Sequence, residues 1–281
     1  MRKEIFLPGL ALTGGIAGFF LRRWQLSSAF EPDTGLPVSG APATWALLAL
    51  SFLMALVLLP LCRGRHGPFP GGYDEAFRCF SPLYAALTAA AGFLLGAGGI
   101  LKLLELPAVL AEYLDPGLRS ILAALPRLLL AFLCLASAVC VILTAKNNYR
   151  GEGRGTRSTL LLIPPFFSCM WLIAAYQERA ADPVLMDYVY QLFAIIAVLL
   201  ALYSMAGFSF EKAKVARSAY FSLLGVYLCG VALADSPDLS SLLLFVFAIL
   251  YLTASASVLL GNDRNPAAQQ KAEHPPEGGV S

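Results

Sequence analysis

The sequence predicts an all-α integral membrane protein, a bundle of about eight transmembrane helices with short loops and both termini cytoplasmic. Three observations carry this expectation. Hydrophobic residues make up 58% of the 281 residues and charged ones only 14%, with a mean hydropathy of +0.70; a soluble chain of this length needs more charge to cover its surface. The charges present cluster between uncharged runs of about 17 to 22 residues, the length that crosses a bilayer core as a helix. The polar segments alternate along the chain between basic-rich and basic-poor.

The first apolar run, 5–21, follows a basic start, Arg2-Lys3. A cleaved signal peptide begins in this way, but no small-x-small site follows the run and Arg22-Arg23-Trp24 come next, so an uncleaved helix is the better reading. Gly14 and Gly18 share one of its faces and admit a close helix neighbour. A loop rich in turn formers, with Glu31-Pro-Asp33-Thr-Gly35-Leu-Pro37, leads to the second span, 43–61. The Gly- and Pro-rich segment from Arg63 to Gly72 excludes regular structure, whereas Tyr73–Arg78 fits one short surface helix. In the third span, 83–101, Ala85, Ala89, Gly92, Gly96 and Gly99 form a single stripe of small residues. The mixed stretch from Lys102 to Arg127 reads as an amphipathic interfacial segment.

Span four, 128–145, ends at a basic loop, Lys146–Arg157, near the midpoint of the chain. Span five, 159–176, contains Pro164-Pro165. Two missing amide donors there free the carbonyls of Leu160 and Leu161, making a static kink or a hinge candidate. Spans six, seven and eight follow at 188–208, 219–234 and 242–261; losing the short seventh would leave seven. Residues 1–261 thus form one polytopic domain, and 262–281, with Pro266, Pro275 and Pro276, read as a disordered cytoplasmic tail.

Eight spans sort the polar segments into two sets. Fourteen of the twenty basic residues fall in the set holding the N-terminus, the Arg63–Arg78 loop, the midpoint loop, Glu211–Arg217 and the tail. Only Arg22, Arg23, Lys102, Arg119, Arg127 and Arg179 fall in the other. By the positive-inside rule both termini are cytoplasmic and the protein is a multi-pass component of the cell membrane.

Gly151-Glu-Gly153-Arg-Gly155-Thr156 has the glycines of a phosphate cradle but neither the strand nor the lysine that a cradle requires, and reads as a basic connector. Glu178, Asp182 and Asp187 gather where spans five and six meet the outer surface. With Asp235 and Asp238 they would attract a cationic solute or divalent ion, or else are simply the acidic remainder where Lys and Arg are excluded. Arg22 and Arg23, with Glu31 and Asp33 just after, are either a local ion-pair cluster or a binding site over the bundle mouth. A shift of 147 residues superposes Phe19, Phe20, Trp24 and Glu31 on Phe166, Phe167, Trp171 and Glu178, a match that a duplicated four-helix unit would give, but the rest of the two halves share little beyond apolar character.

The absences narrow the chemistry. No expected span carries an ionisable residue near its centre, which weighs against proton- or sodium-driven carriers. Neither histidine, His66 or His274, lies in a span, so histidine-ligated haem and intramembrane metal sites lack ligands. Intramembrane protease motifs are absent, and the Asp182–Asp187 spacing does not fit a prenyl-transferase motif. The residues imply no cofactor, metal or nucleic acid; the expected partners are membrane lipids and, as an open alternative, other membrane proteins or a second copy of the chain. Three classes remain: a permease or membrane component of a transport or export system, a non-catalytic sensory or scaffolding subunit docking through its small-residue faces, and an outer-surface lipid-modifying enzyme.

Overall fold

The computed structural model describes residues 3–31, 36–64, 69, 72–111, 118–150, 158–179, 184–210 and 214–264, with the side chains of 109–124, 158–159 and 185–186 left aside. Its helices in chain order are α1 (Lys3–Ser28), α2 (Pro42–Cys62), α3 (Tyr73–Ala76), α4 (Pro82–Ala111), α5 (Leu118–Arg150), α6 (Ile163–Arg179), α7 (Leu185–Ala206), α8 (Val215–Ala232) and α9 (Leu239–Arg264). All but α3 are long and apolar enough to cross a membrane, giving eight candidate spans. The protein is therefore an all-α bundle of the kind that crosses a membrane many times, in which intrahelical bonding satisfies the backbone.

Six helices close a ring in which each packs on the next, in the order α4, α5, α6, α7, α8 and α9, with α9 returning to α4. α1 lies across α8 and α9 outside this ring, and α2 is held by α1 and α8. The arrangement follows from where the small residues are. At Gly15 and Gly230 the backbones of α1 and α8 nearly touch: a Cβ on Gly230 would stand 3.0 Å from the Gly15 Cα. A Cβ on Gly18 would stand 2.5 Å from Val231, and one on Gly14 2.7 Å from Met54 of α2. On α4, a Cβ at Gly92 would meet Ile142 of α5 at 2.6 Å, and Gly96 faces Ala138, while Gly98 faces Leu244 and the Ser240 carbonyl of α9. Glycines of the two small-residue stripes are thus used inside the chain, each against a neighbouring helix.

Several expected boundaries move, all for one reason. The spans were ended at the first charge, but the helices run on. α1 continues past Arg22 and α4 past Lys102; of the stretch expected to lie at the interface, 102–111 extends α4 and 118–127 opens α5, with 112–117 outside the described residues. The midpoint loop starts as helix through Arg150, with 151–157 outside the described residues; the tail likewise starts as helix through Arg264, with 265–281 outside them. Pro164 and Pro165 occupy the first turn of α6, after a single tighter turn, Ser158–Leu162. Amides of a first turn have no intrahelical acceptor, so these prolines start a helix instead of kinking one. The segment before α4 is more buried than a surface helix: Tyr73, Ala76 and Phe77 are buried, Phe77 packs on Phe208 at 5.4 Å, and the Asn262 amide donates to the carbonyls of Ala76 and Arg78.

These contacts assign loops to faces. Lys3 donates to the Leu61 carbonyl, a Cβ on Gly261 would stand 3.9 Å from that of Glu4, and the Cys79 amide donates to the Asn148 carbonyl, so the start of α1, the end of α9, the α2–α4 connection and the end of α5 share one face. Gly72, whose Cβ would stand 2.9 Å from the Phe208 carbonyl, brings the end of α7 to the same face. This is the basal face; the opposite, distal face gathers Arg22, Lys102, Arg127, Glu178, Asp187, Asp235 and Asp238. The 147-residue shift finds no counterpart in the packing: α7 packs extensively on α8, whereas the corresponding α2 and α4 make no extended contact. Trp24 is 46% exposed and Trp171 only 3%.

Replacing Gly18 with Leu drives the new side chain into Val231 and Tyr227, and we expect a loss of about 1–3 kcal/mol, read as a lower thermal midpoint in detergent. Gly9→Ala, with nothing within 4 Å of the added methyl, should leave the midpoint unchanged or slightly higher.

Candidate functional site at the distal face

Two ionic clusters organise the distal face, and they differ in tightness. The first is built on Arg22. It follows directly on the expected span, 5–21, where it would face water; the continuing helix instead carries it into the bundle, where it is 0% exposed. Its Nε donates to Asp235 Oδ1 at 2.6 Å, one terminal nitrogen to Gln25 Oε1 at 2.7 Å and the other to the Asp187 carbonyl at 2.5 Å. The guanidinium also lies 5.3 Å from the centre of the Tyr190 ring. Gln25 in turn donates to the Thr44 hydroxyl of α2 at 3.1 Å, and the Tyr190 and Tyr227 hydroxyls meet Ser51 at 3.4 and 2.8 Å. A single cation therefore ties α1, α2, α7 and the turn after α8 together. A carboxylate that it meets is Asp235, from the far end of the chain. Glu31 lies in the turn beyond α1, its amide bonded to the Leu36 carbonyl at 2.9 Å, and Asp33 is outside the described residues. Arg23 is exposed and donates to Ser236 at 3.3 Å.

The second cluster surrounds Lys102, 7% exposed on α4. Its ammonium faces three carboxylates from three parts of the chain: Asp238 at 3.3 Å, Glu105 at 3.5 Å and Glu178 at 3.9 Å. Arg127 approaches Glu178 at 3.5 Å, and Arg179 approaches Asp187 at 3.8 Å. Burial alone would raise the Asp238 pKa, but hydrogen bonds from Ser240 and Ser241 and the Lys102 charge outweigh it and hold the carboxyl at about 2, against an ordinary 3.8. The Ser241 amide bond, 3.2 Å, also makes Asp238 the cap of α9.

Lys102 sits on the wall of a cavity of about 190 Å³ at the distal mouth of the six-helix ring. α4, α5, α6, α7, α9 and the turn before α9 all contribute to it; the polar lining includes Glu178, Arg179, Gln191 and Asp238. Beneath it the ring is filled by rings of another kind. Trp171 packs on Phe245 at 5.0 Å and on Phe167 at 5.7 Å, Phe167 on Phe247 at 6.1 Å, and Phe247 on Tyr251 at 5.7 Å. The cavity ends on Trp171, and Pro164 lies on the buried basal side of that stack, outside the lining.

Of the candidate residues, then, Glu178 lines the cavity, Asp187 borders it through Arg179, and Arg22 and Arg23 stand beside it; Asp182 is outside the described residues. The distal carboxylates are more than an acidic remainder, since Lys and Arg meet Glu178, Asp187, Asp235 and Asp238. Among the described residues no group of three His, Cys, Asp or Glu is placed to hold a metal ion. Arg22 and Lys102 are both within helices and buried, but each stands toward the distal end of its span, away from the centre. Sequence reasoning missed Lys102 as a site residue; the signal available was a lone lysine between two apolar stretches of one helix, followed by Glu105 one turn later. No protein-family model matches the chain, and neither the curated proteins nor the solved structures contain a match.

Two outcomes follow. Arg22→Ala leaves the Asp235 carboxylate buried without its counter-charge, and we expect destabilisation of about 3–5 kcal/mol, recovered in large part by Arg22→Met combined with Asp235→Leu, as measured by thermal unfolding of each variant. The depressed Asp238 pKa makes its contribution to stability fully present above about 3.8 and lost as pH falls through about 2. The gap in thermal midpoint between the wild type and Asp238→Asn should therefore close over that window.

Proposed function

We propose that this multi-span membrane protein is a permease, or the membrane component of a transport or export system, and that the distal cavity is the solute's point of entry. The observation that supports this reading is the position of the cavity. It lies on the axis of a closed six-helix ring, it carries convergent polar and charged groups, and the Trp171–Phe245 stack closes it on the basal side. A packed scaffold has no reason to keep both acids and bases around an axial opening. A carrier that admits solute from one side at a time needs such a vestibule together with a removable floor.

Orientation comes from charge. The basal face holds the basic majority, so we place it and both termini in the cytoplasm and the vestibule on the outside of the cell membrane. The minority cations at the distal face agree with this assignment, because Arg22, Lys102, Arg127 and Arg179 are each matched by a carboxylate. Neither alternative gains a site: glycines of the small-residue stripes are used in internal packing, and Glu178 and Asp187 are already ion-paired.

In a variant with Cys79 and Cys169 changed to Ala, Ala175→Cys on the cavity wall should react with an impermeant maleimide added outside, while Ala194→Cys, buried between helices, should not. Proteoliposomes should take up at least one of a panel of labelled amino acids, amines and carboxylates faster than empty vesicles. Equal inertness of both cysteines together with no flux would remove the permease reading.

A further inference from the structure

The vestibule also constrains what enters it. We infer that it takes a small zwitterion, a molecule joining an ammonium to an anionic group over a short apolar body; this rests on the reading of the cavity as a solute site.

The first argument is charge balance. The cations at the cavity and its rim are Lys102, Arg127, Arg179 and, through Ser236, Arg23; the carboxylates are Glu105, Glu178, Asp187 and Asp238. Among the described residues at this mouth the two signs are equal in number. A solute with net charge would leave one charge unmatched in a low-dielectric mouth, which is costly. A simple anion would also meet the three carboxylates already around Lys102. A zwitterion adds no net charge and offers each sign a partner.

The second is the looseness of the pairs. Arg22, beside the cavity, holds Asp235 at 2.6 Å and spends its other donors on Gln25 and the Asp187 carbonyl. The ionic pairs at the vestibule stand at 3.3 to 3.9 Å, most of them beyond hydrogen-bond length, so their donors and acceptors keep unused capacity. An entering ammonium can bond Glu178 or Asp238, and an entering carboxylate can bond Lys102 or Arg179, without dismantling the fold. The third is size and floor. About 190 Å³ is the liquid volume of about six waters, room for an amino-acid-sized molecule, and Trp171, Phe245, Ile195 and Leu130 give its apolar part a surface.

The same chemistry occurs free in solution and in a phosphatidylethanolamine headgroup, and the test separates them. In phosphatidylcholine nanodiscs, whose quaternary ammonium has no N–H to donate, the chain carrying Trp24→Phe and Trp45→Phe reports through Trp171 alone. Alanine and leucine should change its emission saturably. 4-Methylpentanoate and 3-methylbutylamine, each lacking one charge of leucine, should bind at least tenfold more weakly, and Glu178→Gln should weaken leucine binding severalfold. A saturable response to short-chain phosphatidylethanolamine without one to amino acids keeps the zwitterion and makes a headgroup its source. No saturable response to any zwitterion, or equal binding of the acid or the amine, overturns the inference. Saturable leucine binding without flux in proteoliposomes would remove the permease reading and leave this inference standing; amine flux without zwitterion binding would do the reverse.

Discussion

A cation inside a low-dielectric bundle must be met by a carboxylate, and that requirement governs how the distal ends of the helices come together. An unpaired buried charge costs several kcal/mol, more than most single contacts contribute. Arg22 can remain on α1 only where the turn after α8 delivers Asp235, and Lys102 on α4 only where α6 and the cap of α9 deliver Glu178 and Asp238. The two pairings hold α1 against the ring and close the ring from α9 to α4. Once these are set, the glycine contacts of Gly15 with Gly230 and of Gly98 with Leu244 fix how near the helices come.

The bundle is correspondingly uneven along its axis. Its basal half is closed by aromatic packing, from Trp171 down through Phe247 and Tyr251, and by Phe77 against Phe208. Its distal half is held by charge around an opening. Aromatic packing is non-directional and excludes water; ion pairs at 3.5 Å and beyond tolerate rearrangement. The distal end is thus the end able to exchange a protein partner for a solute group.

The charge asymmetry that orients the chain takes on a more specific meaning in this light. The distal face is poor in basic residues, and most of those present are neutralised by carboxylates from other helices. Arg22 adds little to the field of that face, because Asp235 stands 2.6 Å away. The basic majority at the basal face includes Arg63 and Lys214, which lie in its connecting segments.

The sequence alone determined the number of spans, their approximate centres and the sorting of loops between two faces, because each depends on local run length and composition. It also singled out Glu178, Asp187, Asp235 and Asp238 as one outer acidic group, because loop composition alone shows it. What only the tertiary structure decided was where the helices end and which charges meet. Arg22 and Asp235 are 213 positions apart and Lys102 and Asp238 are 136 apart, and no local pattern encodes such a pairing. A helix stops at a charge when that charge needs water, and continues through it when a distant carboxylate takes the place of water. That substitution is a property of the packed bundle, and it turned two expected span ends into the buried centres of the distal face.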